Sequence, residues 1–366
     1  MIKRLVALFL ACVFMASAVA QSAPPDPKIS PAIRQAVIAS LADKLSSKYV
    51  FPEVAASVAT KLNAKLRAGE YDNDATANAF AAHLARDVQV LGDDRHLSVD
   101  YVPDFRAPPD NAPETKATKA DLDDEKNWVD RGSAGIASVR RLPGNIGYID
   151  LREFMPADFA ASRYASAMTL LSGADGIIID LRQNIGGDPH TVALLLSYFF
   201  AENDGRHLND MYRRRDGSID QFWTFPVVGP RYSGPVYVLT SPLTFSGGEE
   251  CAYDFQTQKR ATLVGAATGG GANPGGPAML VHGFVAWIPT GRAINPVTKT
   301  NWEHVGVKPD VAVAPADALK VAYQSLLTEK LKQTKDAKQR GKLEKTLALV
   351  ESGEWDKPDY KPVDAD

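Results

Sequence analysis

The sequence predicts an α/β protein in which a parallel sheet carries helices on both faces and a small helical domain comes first. Two observations support this. Between Gly135 and Gly265 strand-like and helix-like runs alternate, and GIIID and PVYVLT are almost wholly apolar, as strands covered on both faces of a parallel sheet must be. Between residues 29 and 90 the apolar residues recur at helical spacing instead. With 366 residues, 45% of them hydrophobic, the chain can form two ordinary domains or one large one around a sizeable core.

At the start, MIKRLVALFLACVFMASAVAQ sets Lys3 and Arg4 before an apolar run from Leu5 to about Ala16, then a small-x-small pattern at Ala18-Val19-Ala20. This is the layout of a secretory signal, so residues 1–20 are expected to be removed and the protein exported, to a periplasm or beyond. A retained anchor or lipidation at Cys12 fits less well, because the run is short, continues past Cys12 and is followed by the polar, proline-bearing segment Gln21 to Pro27. No later segment approaches the ~18 apolar residues that span a bilayer, so no stable membrane insertion is expected.

Residues 21–101 read as the helical domain. Ile33, Val37, Leu41 and Leu45 recur every four residues, a second stripe through VAASVATKLNAKLRAG ends at Gly69, and a third through ANAFAAHLARDVQVLG ends at Gly92; glycine after the last periodic residue is a stop signal. Residues 102–134 include APPDNAPETKATKADLDDE, have no sustained stripe and read as a linker or surface loop.

Residues 135–314 carry the alternation. GIASVRRL and NIGYIDL are strands separated by the turn signal Pro143-Gly144. SRYASAMTLLSGA is helical, GIIID a strand, HTVALLLSYFF helical, PVYVLT a strand, EECAYDFQTQ helical and ATLVG a strand; the glycine-rich TGGGANPGG and the strands AMLVH and FVAWIP follow. Residues 315–366 are a C-terminal segment, helical to about Glu351, whose charge reads as a solvated face.

Composition excludes some functions. The 41 bases and 44 acids give −3, and because the first twenty residues hold two of the bases and no acid, 39 against 44 leaves −5 after cleavage. No basic excess points to nucleic acid. Only Cys251 remains in the mature chain, so no intrachain disulfide is available; five residues into its helix, it reads as a buried small apolar residue. No His-Glu-x-x-His run is present, and TGGGANPGG is followed neither by a helix nor by Gly-Lys-Ser/Thr, so neither a metal nor a nucleotide cofactor is expected.

In parallel α/β sheets, chemistry gathers where strands end and helices begin. Asp180-Leu-Arg-Gln-Asn-Ile-Gly-Gly187 leaves one strand and enters a helix, and Ser246 stands at the next such junction. Ser246-Gly-Gly-Glu249 has the spacing of a capping box, and Gly186-Gly187 that of a tight turn. The same residues offer a nucleophile beside backbone N–H donors from Gly186, Gly187 and Gly247. Asp180 and Arg182 read as a structural ion pair. Of the six histidines (His83, His96, His190, His207, His282, His304), His96 sits at a helix-to-extended transition, and spacing alone does not rank it above His304. Glu303, beside Trp302, is the remaining acid.

The segments YIDLREF, GIIIDLRQNIGGD, VYVLTSPLTFSGGEECAY, TLVGAATGGGANP and EHVGVKPDVAV follow the order of the tail-specific, or C-terminal processing, serine peptidases. The chain resembles that family over roughly residues 135 to 314. KYVFPE, GEYD and DDRHLSVDY look like the helical entry domain of modules similar to interphotoreceptor retinoid-binding protein. The resemblance implies a ClpP/crotonase-like catalytic domain. It matches Ser246 to the nucleophile of a T-x-S-x-x-E context, His96 to the base of a D-x-H motif, Glu303 to the acid before the closing Gly306-Val-x-Pro-Asp310, and Gly186 or Gly187 with Gly247 to the oxyanion donors.

Three departures narrow it. No lysine lies between Lys259 and Lys299, so the family's Ser–Lys dyad is not expected; the stretch from His96 to Gly135 is too short for a PDZ domain; and Arg95 stands where the tricorn-type core has a serine. The resemblance implies a secreted serine peptidase, an endopeptidase or a carboxy-terminal processing hydrolase, acting on peptides or unfolded protein through an acyl-enzyme. The alternatives are a non-catalytic binder of apolar ligands such as retinoids or fatty acids, and a small-acyl esterase. The oligomeric state is left open.

Overall fold

The computed structural model describes residues 26–106 and 117–356; the signal sequence expected over residues 1–20 lies outside them. In chain order come α1 (Pro31–Lys48), α2 (Pro52–Arg67), α3 (Ala77–Gly92), β1 (Ser98–Tyr101), α4 (Lys119–Arg131), β2 (Ile136–Leu142), β3 (Ile146–Leu151) and α5 (Ala157–Leu171). They are followed by β4 (Gly176–Asp180), α6 (Pro189–Ser197), β5 (His207–Arg213), β6 (Ile219–Trp223), β7 (Val236–Thr240), α7 (Gly247–Thr257) and β8 (Thr262–Gly265). The chain ends with β9 (Gly275–Met279), β10 (Phe284–Pro289), β11 (Gly291–Ile294), β12 (Val311–Ala312), α8 (Ala318–Gln333) and α9 (Ala337–Ser352).

The chain divides into two compact units, the first made of residues up to Lys126 with Asn209–Phe222 and Gly270–His304. Its helices start as their sequences dictate. Ser30 accepts from the Ile33 N–H at 3.3 Å with Pro31 in the first turn of α1, and Pro52 opens α2. Val37, Ile38, Leu41 and Leu45 are buried, as the stripe requires. Gly69 takes the left-handed conformation after α2 (φ 75°). After α3 that role falls to Asp93 (φ 48°), while Gly92 is the last helical residue, where a Cβ would lie 2.5 Å from Leu97.

The sequence reading kept residues 135–314 together, whereas here β9 and β10 join the helical unit. They pair antiparallel with β1 in the order β1-β10-β9, and Ala278, Leu280, Phe284, Ala286 and Ile288 are buried in one core with α1, α2 and α3. A second small sheet, β11-β5-β6, was not foreseen. Helix α4 also falls where a linker was expected; only Val129 of it is buried, so its sequence carries no apolar stripe.

The second unit comprises Asn127–Leu208, Trp223–Gly269 and residues from Val305 onward. Its six-stranded sheet has the order β12-β8-β7-β4-β3-β2, parallel from β12 to β3 with β2 antiparallel at one edge. β4 and β7 are buried at every residue, as a sheet covered on both faces demands. Tyr148, Ile178, Tyr237, Leu239 and Val264 project to the face packed by Ala322, Tyr323, Leu326 and Leu327 of α8. The charged C-terminal segment thus keeps one apolar face on the sheet.

Candidate active site

Ser246 immediately precedes α7, and its backbone settles whether it behaves as an ordinary helix cap. A cap residue normally has extended dihedrals; Ser246 has φ 52° and ψ −120°. That is the conformation of the first central residue of a type II′ turn, which glycine ordinarily fills. The capping box is nevertheless present, and in it the Glu249 carboxylate accepts from the Ser246 N–H at 2.9 Å. The Glu249 N–H donates to the Ser246 carbonyl, also at 2.9 Å. The box therefore holds a strained elbow, with a half-buried serine at its tip.

The Gly186-Gly187 loop runs against this elbow. Both glycines have positive φ, 107° and 130°, and neither has room for a side chain. A Cβ on Gly186 would lie 2.7 Å from Ser246 Cβ, and one on Gly187 would lie 2.1 Å from the Phe154 carbonyl oxygen. The loop is tied to the segment after β3 by Phe154 N–H to Gly186 O and Asp188 N–H to Phe154 O, each 2.7 Å. Gly186 N–H is taken by Asn184 Oδ1 at 2.9 Å. Among the described residues the N–H groups of Gly187 and Gly247 have no protein acceptor. Of the three glycines singled out from the sequence, two thus present free donors.

Buried polar side chains hold these pieces together. Asn184, fully buried, donates to the Leu151 carbonyl at 3.1 Å, while its own carbonyl accepts from Phe245 N–H at 2.9 Å. Glu249, also fully buried, accepts from Thr268 Oγ1 at 2.5 Å, and that oxygen accepts in turn from Val307 N–H at 2.7 Å. The closing motif therefore braces the elbow: Val307 reaches it through Thr268, and Asp310 accepts from Leu263 N–H of β8 and from Gln256 of α7, at 2.8 and 3.0 Å. The spacing of Ser246 and Glu249 pointed to a box, but Thr268 lies nineteen residues beyond Glu249, outside any local pattern.

His96 and Glu303 belong to the first unit. The His96 N–H donates to Asp94 Oδ1 at 2.9 Å, and His96 Nδ1 lies 4.0 Å from the same oxygen. Asp94 is buried and accepts from Tyr49 Oη and Asn273 Nδ2, both at 3.0 Å. Burial lowers the His96 imidazole to about 4, with Asp94 opposing the shift, so the ring is neutral over most of the pH range. Glu303 accepts from the Ala272 N–H. Burial pushes the Tyr49 phenol up, and Asp94, Glu303 and Asp93 add to the rise; the carboxylates that matter to this unit share one neighbourhood.

The remaining candidates lie among other partners or on the surface. Arg182 grips Asp180 through Nε and Nη2 at 2.9 and 2.6 Å, the ion pair expected from the sequence. His83 pairs with Asp74 at 2.8 Å, and His304, half exposed, lies 3.5 Å from Asp93. His190 is exposed in the first turn of α6. Cys251 is buried, and burial pushes its thiol well up, which makes it a poor nucleophile. Among the described residues no cluster of three or more His, Cys, Asp or Glu could hold a metal ion, and no helix is long and apolar enough to cross a membrane.

Comparison with known proteins bears on this arrangement. Residues 145–313 match the model of peptidase family S41, and residues 29–128 match that of the N-terminal domain of peptidase S41 in eukaryotic IRBP. Among solved structures, a candidate peptidase from Parabacteroides merdae is similar at a TM-score of 0.57 and 17% identity, over 80% of this chain and 96% of the other. Mature CPAF bound to lactacystin is similar at 0.55 and 12%, over 88% and 100%, and a lipoprotein from Streptococcus agalactiae at 0.51 and 15%, over 84% and 98%. At such identities the likeness is one of fold.

Proposed function

The chain belongs to peptidase family S41, and from that premise we propose that it is an exported serine peptidase that cleaves peptides or unfolded protein through an acyl-enzyme on Ser246. The observation that carries this reading is the strained elbow. A serine held at φ 52° and ψ −120° between two free backbone donors is costly to build, and a hydroxyl that reacts there accounts for the cost.

In the proposed reaction Ser246 Oγ attacks the scissile carbonyl carbon and His96 takes its proton. The oxyanion accepts from the N–H groups of Gly187 and Gly247, each such donor contributing about 10²–10³ in rate. The C–N bond then breaks, His96 returns the proton to the leaving amine, and water hydrolyses the ester by the same steps. Asp94, which sets the His96 backbone, and Glu303 are the acids proposed to support the base. Selection is for an unfolded segment rather than a PDZ-bound terminus, because the chain lacks room for that domain between His96 and Gly135.

Labelling of the purified protein by a fluorophosphonate probe tests the proposal. Wild type is expected to label, and Ser246→Ala and His96→Ala to abolish labelling while both variants stay folded. A folded wild type that does not label would instead leave a binding module on a peptidase scaffold. Export is checked by the intact mass of the mature protein, which should begin at Gln21.

A further inference from the structure

Glu153 stands just beyond β3, where the chain meets the Gly186-Gly187 loop, and its half-buried carboxyl has no hydrogen-bond or ion-pair partner among the described residues. Burial alone lifts the group from 4.5 to about 7. Strand alternation places it. Asp150 and Arg152 face the side of the sheet that holds Tyr148 and Pro315, so Leu151 and Glu153 face the other. Tyr164 of α5 lies on that side: burial raises its phenol, and Cys251 of α7, Asp188 and Glu153 raise it further.

The backbone that carries Glu153 is pinned on both flanks. On one, the two bonds of Phe154 to the glycine loop are joined by Ile185 N–H to Arg152 O at 2.9 Å. On the other, Arg152 N–H donates to Gly135 O at 2.8 Å, and a Cβ on Gly135 would lie 1.9 Å from Glu153 O. Gly135 ends a turn in which Ser133, Ala134 and Gly135 all have positive φ, 51°, 56° and 78°. Three successive left-handed residues, two of them with side chains, are costly, and they seat the Glu153 peptide against the loop that presents the Gly187 donor. A carboxylate desolvated without a partner is unfavourable, and a cation brought against it removes that penalty. Neighbouring cations are already committed: Arg152 is held by Asp150 and Gln183, and Arg163 by Asp130 at 2.7 Å. A ligand can supply the one that is missing.

We propose that Glu153 determines specificity: it selects peptides that carry an arginine or lysine beside the scissile bond, and its carboxylate pairs with that side chain while the scissile carbonyl faces the Gly187 and Gly247 N–H groups. The scissile bond rests on the Ser246 reading, whereas the demand for a cation rests on Glu153 alone. Glu153 touches no reacting atom, so it governs which peptide is taken and leaves the bond-breaking steps to Ser246 and His96. The free carboxyl is neutral below about pH 7. The preference for a cation should therefore appear as pH rises through 7 and fade below it.

The test uses the Ser246→Ala protein, so that nothing is turned over, and saturation-transfer NMR on N-acetyl-tetra-alanine amides in which one arginine, or its neutral isostere citrulline, is walked through the chain. At about pH 8.5 the arginine peptide should bind at least about tenfold more tightly at one position, the worth of one charge-assisted contact. At about pH 5.5 that preference should be gone, and Glu153→Gln should erase it at both. If Glu153→Gln does not fold, the pH comparison still decides, because it needs no further substitution. Digestion of a peptide mixture by the wild type should place arginine or lysine at one fixed distance from the cut, and cuts that share no basic residue count against the proposal. Equal binding of arginine and citrulline peptides at the higher pH overturns it, as does a preference that survives Glu153→Gln or persists unchanged at the lower pH. A wild type that never labels with the fluorophosphonate defeats the Ser246 reading and leaves the NMR comparison to decide on Glu153 by itself.

Discussion

At Ser246 two functions of one residue can be separated by substitution. If the serine served only as a cap, alanine would cost about 1 kcal/mol of stability. Because its φ is 52°, Ser246→Gly relieves backbone strain of about 1–3 kcal/mol, so the glycine variant should unfold in urea no earlier than wild type while losing all labelling. His96 gives a second prediction. Its folded value of about 4 lies below the unfolded 6.5, so as pH falls through 6.5 the unfolded chain takes up a proton that the folded one refuses. Stability should therefore decline between pH 6.5 and 4, by at most about 1.4 kcal/mol per pH unit from this group, and His96→Ala should flatten that decline. The acid limb of the labelling rate should fall near pH 4. A limb near 6.5 would show that His96 is solvated or is not the base.

Elements rather than single residues decide how the elbow is held. The sequence motif around Asp180 and the closing motif around Pro309 were legible as strings, but not what each braces. Thr268 joins the closing motif to α7, donating to Glu249 and accepting from Val307. Thr268→Val keeps the shape and leaves a buried carboxylate and a buried N–H short of a partner, at about 1–3 kcal/mol for each. Urea unfolding should show a loss of that order, with a slower labelling rate, whereas Thr268→Ser should retain most of both. Helix α4 was missed for the opposite reason: a helix that buries one residue has no periodic pattern to read.

On the scale of the whole molecule, stability of the second unit depends on the C-terminal helices, which the sequence marks as helical with a charged, solvated face. Leu326 of α8 is buried against the sheet, where a Cβ on Gly176 would lie 2.4 Å from it. Leu326→Ala should cost about 2–5 kcal/mol in urea unfolding; a change below about 1 kcal/mol would mean that α8 does not hold the sheet's second face.

What the sequence determined by itself was the local physics: three helices from their stripes, buried strands from their continuous apolar runs, Ser246 and the glycines from strand-to-helix junctions, and the family from the order of its motifs. Tertiary structure alone decided that β9 and β10 fold with α1, α2 and α3 and not with the parallel sheet. It also decided that Gly186 spends its N–H on Asn184, and that Thr268 holds Glu249. The reason is common to all three. Periodicity reports which face of an element is apolar, while strand partners and buried hydrogen bonds are chosen among residues far apart in the chain, on which no local pattern bears.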